Sequence, residues 1–371
     1  MHDTGSDMIA ELETKGVSRR DFVKVCTIAA GAVGLPAWAG EKMAETVETA
    51  KRKPSVIWLH FQECTGCTES LLRTSHPDLG ALILDLISVD YHETLAAAAG
   101  YQIEKSLEEA TRENKGKYVL VVEGAIPVKE NGIYCRVAGK TAVETVKKYA
   151  ADAAAVIAIG SCASWGGVPS ASPNPTGASG VSAVLGRTVL TLPGCPANPY
   201  NLLGTVLQYA TFGTLPKLDE KGRPEFAYKR VIHDDCPRRA HFDNGRFAKQ
   251  FGDEGHRQGW CLYQLGCKGP QTHANCSLLD YCETPGAWPI GIGHPCVGCT
   301  EQGIGFNVPI SVNLPIERPT APMAYPGIHP EHGVVSASPV AVGVGGAVIG
   351  ALVGAAVVAS RKLSAEDSRK E

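Results

Sequence analysis

The stretch Phe61-Gln-Glu-Cys-Thr-Gly-Cys-Thr-Glu-Ser70 decides the fold, because two cysteines, Cys64 and Cys67, directly follow a short apolar run. That run, Ser55–Phe61, predicts a buried β-strand. The pair therefore sits just past the carboxyl end of a strand, and its Cys-x-x-Cys spacing is typical of metal and thiol-redox sites.

The same arrangement occurs twice more along the chain. Residues 154–160 form a strand-like run that precedes Cys162, and residues 188–193 form another that precedes Cys195. Open α/β sheets bind their ligands at the carboxyl ends of the strands, so we expect the four thiols to converge on one crevice. Converging thiolates indicate a metal site, with iron–sulfur or zinc as the first candidates.

The part of the chain from residue 51 to 215 alternates between strand-like and helix-like patterns. Further strands are predicted within Leu79–Val89 and over Tyr118–Glu123, and helices over Glu104–Lys115 and Thr141–Ala150. Strands separated by helices imply an α/β fold with a parallel, doubly wound sheet. No Gly-x-Gly-x-x-Gly follows the first strand, so a dinucleotide site is not indicated.

Residues 216–320 change in character, because periodicity fades and Gly, Pro, Cys, His and Asn become frequent. The candidate ligands of this part are His233, Cys236, Cys261, Cys267, Cys276, Cys296 and Cys299. A segment with little regular structure needs another source of order, and bound metal clusters supply one. The net charge of −3 does not suggest a nucleic-acid partner, whereas thirteen cysteines require an explanation.

Residues 1–50 are interpreted as an export signal. Ser18-Arg-Arg-Asp-Phe-Val-Lys24 is a twin-arginine pattern, and the apolar run Val25–Ala39 follows it. The alternative is an ordinary amphipathic N-terminal helix. The twin-arginine route exports folded proteins, so thiolates already bound to metal would escape the disulfide formation expected outside the cytoplasm.

The C-terminal end is interpreted as a membrane anchor. After a linker over residues 321–339, Val340–Ala359 contains 20 residues without a charge, enough to span a bilayer. Arg361 and Lys362 follow at once and place the tail, residues 360–371, in the cytoplasm. A buried soluble helix and a flexible Gly-Ala tail are the alternatives.

The cysteine pattern leaves three kinds of chemistry open. Zinc is favoured by Cys-x-x-Cys alone, but Cys64 and Cys67 lie far along the chain from Cys162 and Cys195, unlike a compact zinc ribbon. A redox disulfide would leave the other cysteines unexplained. Iron–sulfur ligation is favoured because Cys-Pro occurs twice, as at the end of the bacterial ferredoxin pattern. The corresponding functions are an exported zinc-stabilised binding module and an electron-transfer protein, including a carrier subunit of an unrelated oxidoreductase.

Five motifs carry a resemblance to a known family. They are Glu63-Cys-Thr-Gly-Cys-Thr-Glu69, Gly160-Ser-Cys-Ala-Ser-Trp-Gly-Gly167, Pro193-Gly-Cys-Pro196, His233-x-x-Cys236 and Gly293-His-Pro-Cys-Val-Gly-Cys299. In this order the chain resembles the small subunit of nickel–iron hydrogenases, over about residues 54–320. The leader and the anchor resemble the membrane-bound, periplasm-facing branch of that family.

The resemblance implies a flavodoxin-like N-terminal domain followed by an irregular domain, and three iron–sulfur clusters. The implied ligands are Cys64, Cys67, Cys162 and Cys195 for a proximal 4Fe–4S cluster, His233, Cys236, Cys261 and Cys267 for a distal 4Fe–4S cluster, and Cys276, Cys296 and Cys299 for a medial 3Fe–4S cluster. Hydrogen would be oxidised at a nickel–iron centre in a separate large subunit. Electrons would pass through this chain to a membrane acceptor such as a cytochrome b, at the periplasmic face of the bacterial inner membrane.

Four further residues bear on that function. Glu63, beside the proximal ligands, is a candidate proton relay, with a structural carboxylate as the alternative. Cys282 is expected not to ligate the medial cluster, because the three-ligand pattern is otherwise intact. Oxygen-tolerant relatives carry extra cysteines where this chain has Gly66 and Gly167, so the resemblance implies an oxygen-sensitive enzyme.

Overall fold

A five-stranded parallel sheet forms the centre of the N-terminal part of the chain. The computed structural model describes residues 23–24, 26–27, 30–31, 38–49, 53–75, 87–281, 284–316 and 321. The strands of the sheet are β1 (Ser55–His60), β2 (Ser88–His92), β3 (Val119–Glu123), β4 (Ala155–Ile159) and β5 (Leu190–Leu192). Their order is β2-β1-β3-β4-β5, and every neighbouring pair is parallel. This is the flavodoxin-like, doubly wound arrangement, and it confirms the predicted fold class.

The strands are apolar throughout because the sheet is covered on both faces. Every residue of β1, β3 and β4 is buried. Successive side chains of a strand point to opposite faces, so Val56 and Trp58 pack into one core and Ile57 and Leu59 into the other. Continuous apolar runs, rather than alternating ones, are typical of such parallel sheets.

Helices connect the strands, and the longer ones have recognisable ends. They are α1 (Trp38–Thr49), α2 (Gly66–Leu72), α3 (Tyr101–Glu113), α4 (Ala142–Ala150), α5 (Gly160–Trp165), α6 (Val181–Leu185) and α7 (Pro199–Phe212). Thr141 caps α4 through a capping box with Glu144, and Asn198 caps α7. The predicted helix over Thr141–Ala150 therefore begins one residue later, since Thr141 is the cap.

The second strand was predicted within Leu79–Val89, but the structure places β2 at Ser88–His92. Residues 76–86 lie outside the described part of the chain. The strand pairs with β1 from Ser88 opposite Ser55, and its polar residues are satisfied because Ser88 and Ser55 both donate hydrogen bonds to Asp90. A polar edge strand of this kind carries no apolar run that a sequence pattern would detect.

Beyond α7 the described residues contain no further strand of the central sheet and no long helix. Short helices follow, none longer than five residues among those described: α8 (Glu225–Tyr228), α9 (Arg239–Asp243), α10 (Glu254–Arg257) and α11 (Cys276–Leu279), with 3₁₀ turns at Ile232–Asp235, Tyr263–Leu265 and Gly269–Gln271. A third small core includes the cysteines Cys236, Cys267 and Cys296. The predicted boundary at residue 215 follows the end of α7, while contacts place the described residues on both sides of it in one compact unit.

The two predicted terminal segments are only partly described. Helix α1, inside the predicted export signal, packs against α7 and buries Ala39, Met43 and Ala44. The arginine pair, Cys282 and the predicted anchor Val340–Ala359 lie outside the described residues. Among the residues that are described, no helix is long and apolar enough to span a bilayer.

Candidate metal centres

Three loops at the carboxyl edge of the sheet bring Cys64, Cys67, Cys162 and Cys195 together. Cys64 follows β1, Cys67 lies in the first turn of α2, Cys162 lies in α5 after β4, and Cys195 follows β5. Burial first, and then the neighbouring Cys195 thiolate, raise the pKa of Cys162 to about 12. The pKa of Cys195 is raised by burial and by Cys64. The thiols thus lie close enough that the charge of one raises the pKa of another. Such closeness is expected of four ligands that bind one metal cluster.

Hydrogen bonds hold these three loops against one another. The Ser161 N–H donates to the Gly194 carbonyl at 2.8 Å, and the Gly194 N–H donates to the Ser161 hydroxyl at 3.0 Å. Ser70 donates to the Ala197 carbonyl at 2.7 Å. The Ala197 N–H in turn donates to the Cys67 sulfur at 3.5 Å. The position of the thiols therefore follows from backbone contacts as well as from any bound group.

Gly160, where β4 passes into α5, is required by the closeness of these loops. Its φ is +78°, and a Cβ at this position would lie 2.5 Å from the Cys67 sulfur. Any other residue would adopt an unfavourable left-handed backbone and displace a candidate ligand.

Glu123, at the end of β3, anchors the start of α2. Its carboxylate accepts hydrogen bonds from the Cys67 N–H at 3.0 Å, the Thr68 N–H at 3.3 Å and the Thr68 hydroxyl at 2.6 Å. The Trp58 indole N–H donates to it at 3.1 Å. A carboxylate at a helix N-terminus satisfies otherwise unpaired N–H groups. These bonds give Glu123 a structural role in placing Cys67.

Glu63 lies in a mostly buried polar cluster with His60 and Glu123, and its carboxylate accepts fewer hydrogen bonds than that of Glu123. Its Oε1 is 3.4 Å from His60 Nδ1 and accepts from the Thr65 hydroxyl at 3.3 Å. Its Oε2 and His60 Nε2 are buried, and the described residues provide neither with a hydrogen-bond partner. Burial, and then the charge of Glu123, raise the pKa of Glu63. Glu63 therefore combines a raised pKa with one buried oxygen that has no hydrogen-bond partner among the described residues.

The candidate distal ligands surround one small cavity. His233, Cys236, Cys261 and Cys267 all line it, and all four are buried. Burial, and then the charge of Arg239, lower the pKa of His233 to about 4, so the imidazole is neutral at neutral pH and able to bind metal. His233 Nε2 is buried without a hydrogen-bond partner among the described residues.

The candidate medial ligands lie between the other two sets. Cys276 and Cys299 line a cavity of about 210 Å³ together with Trp288 and Pro289. Cys296 is not part of that lining, but the charges of Cys299 and Cys276 contribute, after burial and Cys267, to raising its pKa. Pro289 thus lies in the wall of the cavity that Cys276 and Cys299 also line.

The three sets are contiguous through two direct links. The Ser161 hydroxyl, next to Cys162, donates to the Cys299 carbonyl at 2.6 Å, and the charge of Cys195 contributes, after burial and Cys276, to raising the pKa of Cys299. The Lys268 N–H, next to Cys267, donates to the Cys296 carbonyl at 2.8 Å. The order in space is therefore proximal, medial, distal.

Lys268 is a fully buried cation beside this second link. Its Nζ donates to the carbonyls of Gly266 at 2.6 Å, Pro309 at 3.0 Å and Ile310 at 2.8 Å. Three acceptors require three N–H donors, which only the ammonium form has. Burial lowers its pKa, and the thiolates of Cys267 and Cys296 act in the opposite direction. Lys268 was not predicted from the sequence, where its only signal is its position after Cys267.

Glu301 forms a second buried charged group close to Cys299. It accepts from Arg223 Nη1 at 3.0 Å and from Lys221, and its Oε2 lies 3.0 Å from His273 Nδ1. Burial acts to raise its pKa, but the hydrogen bonds from His273 and Lys221 and the charge of Arg223 prevail and hold the pKa at about 2. This charged group was not predicted from the sequence either, because its members are far apart along the chain.

The chemistry of these side chains fits iron–sulfur clusters. The ten candidate ligand cysteines form no disulfide bonds. Within those residues, no three His, Cys, Asp or Glu side chains converge tightly enough to hold a single metal ion. Around the distal cavity three thiols and an unpartnered imidazole face a common space instead, and Cys with His is a known donor set for such clusters.

Comparisons with known proteins agree with this geometry. A family model described as the 20 Kd subunit of NADH ubiquinone oxidoreductase matches residues 64–209, and a model for the C-terminal part of the NiFe/NiFeSe hydrogenase small subunit matches residues 228–310. The Hydrogenase-2 small chain of Escherichia coli K12 is 52% identical over 360 residues, 96% of each chain. The quinone-reactive Ni/Fe-hydrogenase small chain of Wolinella succinogenes is 47% identical over 316 residues, which make up 85% of this chain and 87% of the Wolinella protein.

Solved structures show the same likeness. The [NiFeSe] hydrogenase of Desulfovibrio vulgaris Hildenborough is 34% identical with a TM-score of 0.62, over 68% of this chain and 94% of that chain. The chain belongs to the family of nickel–iron hydrogenase small subunits. It is the electron-transfer chain of a heterodimeric hydrogenase, whose other chain is the large subunit, and small subunits of this family carry iron–sulfur clusters.

Proposed function

We propose that this chain carries three clusters and conducts the electrons of hydrogen oxidation from the large subunit to a membrane acceptor. The ligands would be Cys64, Cys67, Cys162 and Cys195 for a proximal 4Fe–4S cluster, Cys276, Cys296 and Cys299 for a medial 3Fe–4S cluster, and His233, Cys236, Cys261 and Cys267 for a distal 4Fe–4S cluster. When bound, such clusters supply sites that accept and release one electron at a time.

The observation that carries this proposal is the contiguity of the three ligand sets. One hydrogen bond joins Ser161, next to Cys162, to Cys299, and another joins Lys268, next to Cys267, to Cys296. Three separate zinc sites would have no need of such links, whereas an electron relay requires its sites to be close. The chain's own contribution is to hold the sites in line and to keep water from most of the ligands.

The open side of the proximal set would face the large subunit. Cys64 and Cys195 are exposed at the carboxyl edge of the sheet, although cluster thiolates need protection from solvent and oxidants. A covering partner would supply that protection. Glu63 lies at the same edge and stays a candidate proton relay between the subunits.

The cellular location is proposed from the relatives and from the terminal sequences. Relatives are named as a periplasmic hydrogenase small subunit and as a quinone-reactive hydrogenase small chain. We infer export by the twin-arginine route, anchoring by Val340–Ala359 and electron delivery to a cytochrome b or another membrane acceptor. Arg19→Lys with Arg20→Lys should leave the protein inside the cell. Normal export of that variant would contradict the leader assignment.

The proximal site would be of the oxygen-sensitive type. A Cβ at Gly66 would lie 3.1 Å from the Cys64 sulfur, and one at Gly167, where φ is +49°, would lie 2.7 Å from the Cys162 sulfur. Neither glycine supplies an extra ligand. The proposal predicts a single redox step at the proximal cluster and loss of hydrogen-oxidation current under oxygen. A second oxidation step with sustained current would contradict it.

Metal analysis and electron paramagnetic resonance of the purified heterodimer test the cluster assignment. The expected result is about eleven irons with matching sulfide in this chain, and a 3Fe–4S signal in the oxidised protein. Stoichiometric zinc without sulfide would overturn the electron-transfer role. Absence of the 3Fe–4S signal with iron present would instead assign Cys282 as a fourth medial ligand, and Cys282→Ala would then restore the signal.

A further inference from the structure

The segment from Asp243 to Phe251 forms an outer wall over the distal ligand set. The Phe242 ring meets the His233 ring edge-on at 4.6 Å, and Phe247 packs against Phe242 at 5.7 Å. The Cys261 N–H donates to the Arg246 carbonyl at 3.1 Å, and the Ala248 N–H donates to the Cys261 carbonyl at 3.0 Å. Side chains on the outer side of this wall are therefore separated from two candidate ligands by a single layer of chain.

That wall presents positive charge. Arg246 and Lys249 are exposed, and no ion pair is found for either within the described residues. The acidic residue of the wall, Asp243, forms an ion pair with Arg239, whose Nε lies 3.0 Å from Asp243 Oδ1. Residues 243–251 contain two Lys and Arg against one Asp, a net charge of +1, although the whole chain has −3.

An exposed aromatic ring lies at the end of the wall. Phe251 is 60% exposed and contacts the rings of His256 at 5.6 Å and His294 at 5.9 Å. Ile292, 74% exposed, lies next to Gly293, whose carbonyl is 2.8 Å from His256 Nε2. Exposed aromatic and arginine side chains are the residue types that dominate the binding energy of protein interfaces.

We propose that this surface, defined by Arg246, Lys249, Phe251 and Ile292, docks the acidic face of an electron-carrier protein. The inference rests on the proposed function, in which the distal set is the exit for electrons. Opposite charges steer two proteins into encounter and fix their orientation, and an apolar centre excludes water from the contact. Each H₂ oxidised in the large subunit releases two electrons and two protons there. The carrier accepts one electron per docking event, so each H₂ reduces two carriers.

The test is hydrogen-dependent reduction of two soluble one-electron carriers by the intact heterodimer. One probe is an acidic b-type cytochrome and the other is basic cytochrome c, with benzyl viologen as a small acceptor. The wild type should reduce the acidic cytochrome faster at low salt, with a rate that falls as salt rises. Arg246→Glu with Lys249→Glu should slow the acidic cytochrome by about tenfold or more and speed the basic one.

Two controls keep the result specific. Lys117→Glu with Lys147→Glu makes the same change in net charge on exposed residues away from the wall, and it should leave all three rates unchanged. Phe251→Ala keeps the charge and should weaken binding of the acidic cytochrome without reversing the preference. Unchanged cytochrome rates in the charge-reversed variant would overturn the proposal.

The remaining outcomes are distinct. If the charge-reversed variant loses binding to vesicles containing anionic lipid but keeps its rate with the acidic cytochrome, the surface is a membrane contact and the carrier proposal is wrong. If the wild type fails to reduce benzyl viologen or lacks iron–sulfur signals, the proposed function itself fails.

Discussion

The proximal ligand set and the two other sets are held in place by different kinds of structure. The proximal thiols sit on loops at the edge of a sheet whose strands pair through regular backbone hydrogen bonds. The medial and distal ligands lie on segments with only short helices. There the order comes from single side-chain contacts, such as Lys268 with three carbonyls, Arg223 with Glu301 and Asn201 with Asn275. We therefore expect the second region to depend on its proposed clusters for folding, and the first region not to.

Removal of iron should produce the largest effect and should separate the two regions. In the cluster-depleted chain, residues 230–310 should lose amide protection, because metal binding to such sites can supply on the order of 10 kcal/mol to folding. Strands β1, β3 and β4 should stay protected. Hydrogen exchange read by mass spectrometry measures both regions in one sample. Equal loss of amide protection in the two regions would show that they do not differ in their dependence on iron.

Loss of the Glu301 carboxylate should destabilise the irregular region next most strongly. Glu301→Ala leaves Arg223, which is 3% exposed, without one of its two acidic partners. Removing one member of a buried ion pair costs about 3–5 kcal/mol. Denaturant unfolding of the cluster-loaded heterodimer measures the loss.

Glu301→Gln is the matched variant, since it keeps an oxygen acceptor for Arg223 and should cost less than Glu301→Ala. A loss of protection in the sheet as large as that around residues 273–300 would contradict the expectation that the effect stays in the irregular region.

Loss of the Glu123 carboxylate is the corresponding change at the sheet edge, and its effect should be smaller. Glu123→Ala removes the acceptor for the Cys67 and Thr68 N–H groups and for the Trp58 indole. We expect a cost of about 1–3 kcal/mol, because unsatisfied buried donors carry that penalty but the sheet hydrogen bonds remain. Glu123→Gln should lie between the wild type and the alanine variant. The spectrum of the proximal cluster should change, while the spectra of the medial and distal clusters should stay the same. That result would show that the effect of the substitution is confined to the edge of the sheet.

Replacement of Lys268 should lower redox potentials, in addition to removing the donor to three backbone carbonyls. A buried ammonium favours the reduced, more negative state of a neighbouring cluster, by roughly 2 kcal/mol for a unit charge about 8 Å away at an effective dielectric constant near 20. Lys268→Met should therefore lower the midpoint potentials of the medial and distal clusters by tens of millivolts. The proximal potential should change less. Potentiometric titration followed by electron paramagnetic resonance measures all three, and unchanged medial and distal potentials would show that the cation has no such role.

The sheet and the proximal set could be predicted because their signals are local in sequence. An apolar run followed by Cys64 or Cys195 specifies both a strand and the position of its carboxyl end, and parallel strands bring those ends together. The edge strand β2 was misplaced because its residues are polar. The contacts of Lys268 and Glu301 left no pattern, since their partners lie at Pro309, Ile310 and Arg223, and loop contacts have no periodicity to detect.

The closeness of Cys195 to Cys299 has a consequence for how the relay fills with electrons, because the charge of Cys195 contributes, after burial and Cys276, to raising the pKa of Cys299. Like charges repel more strongly in a partly buried site than in water, and these two residues would ligate neighbouring clusters. Charge added at the medial site is therefore felt directly at the proximal site. The two sites should therefore show negative cooperativity in accepting electrons. Each should have a lower affinity for an electron when the other is already reduced, and its midpoint potential should depend on the oxidation state of its neighbour.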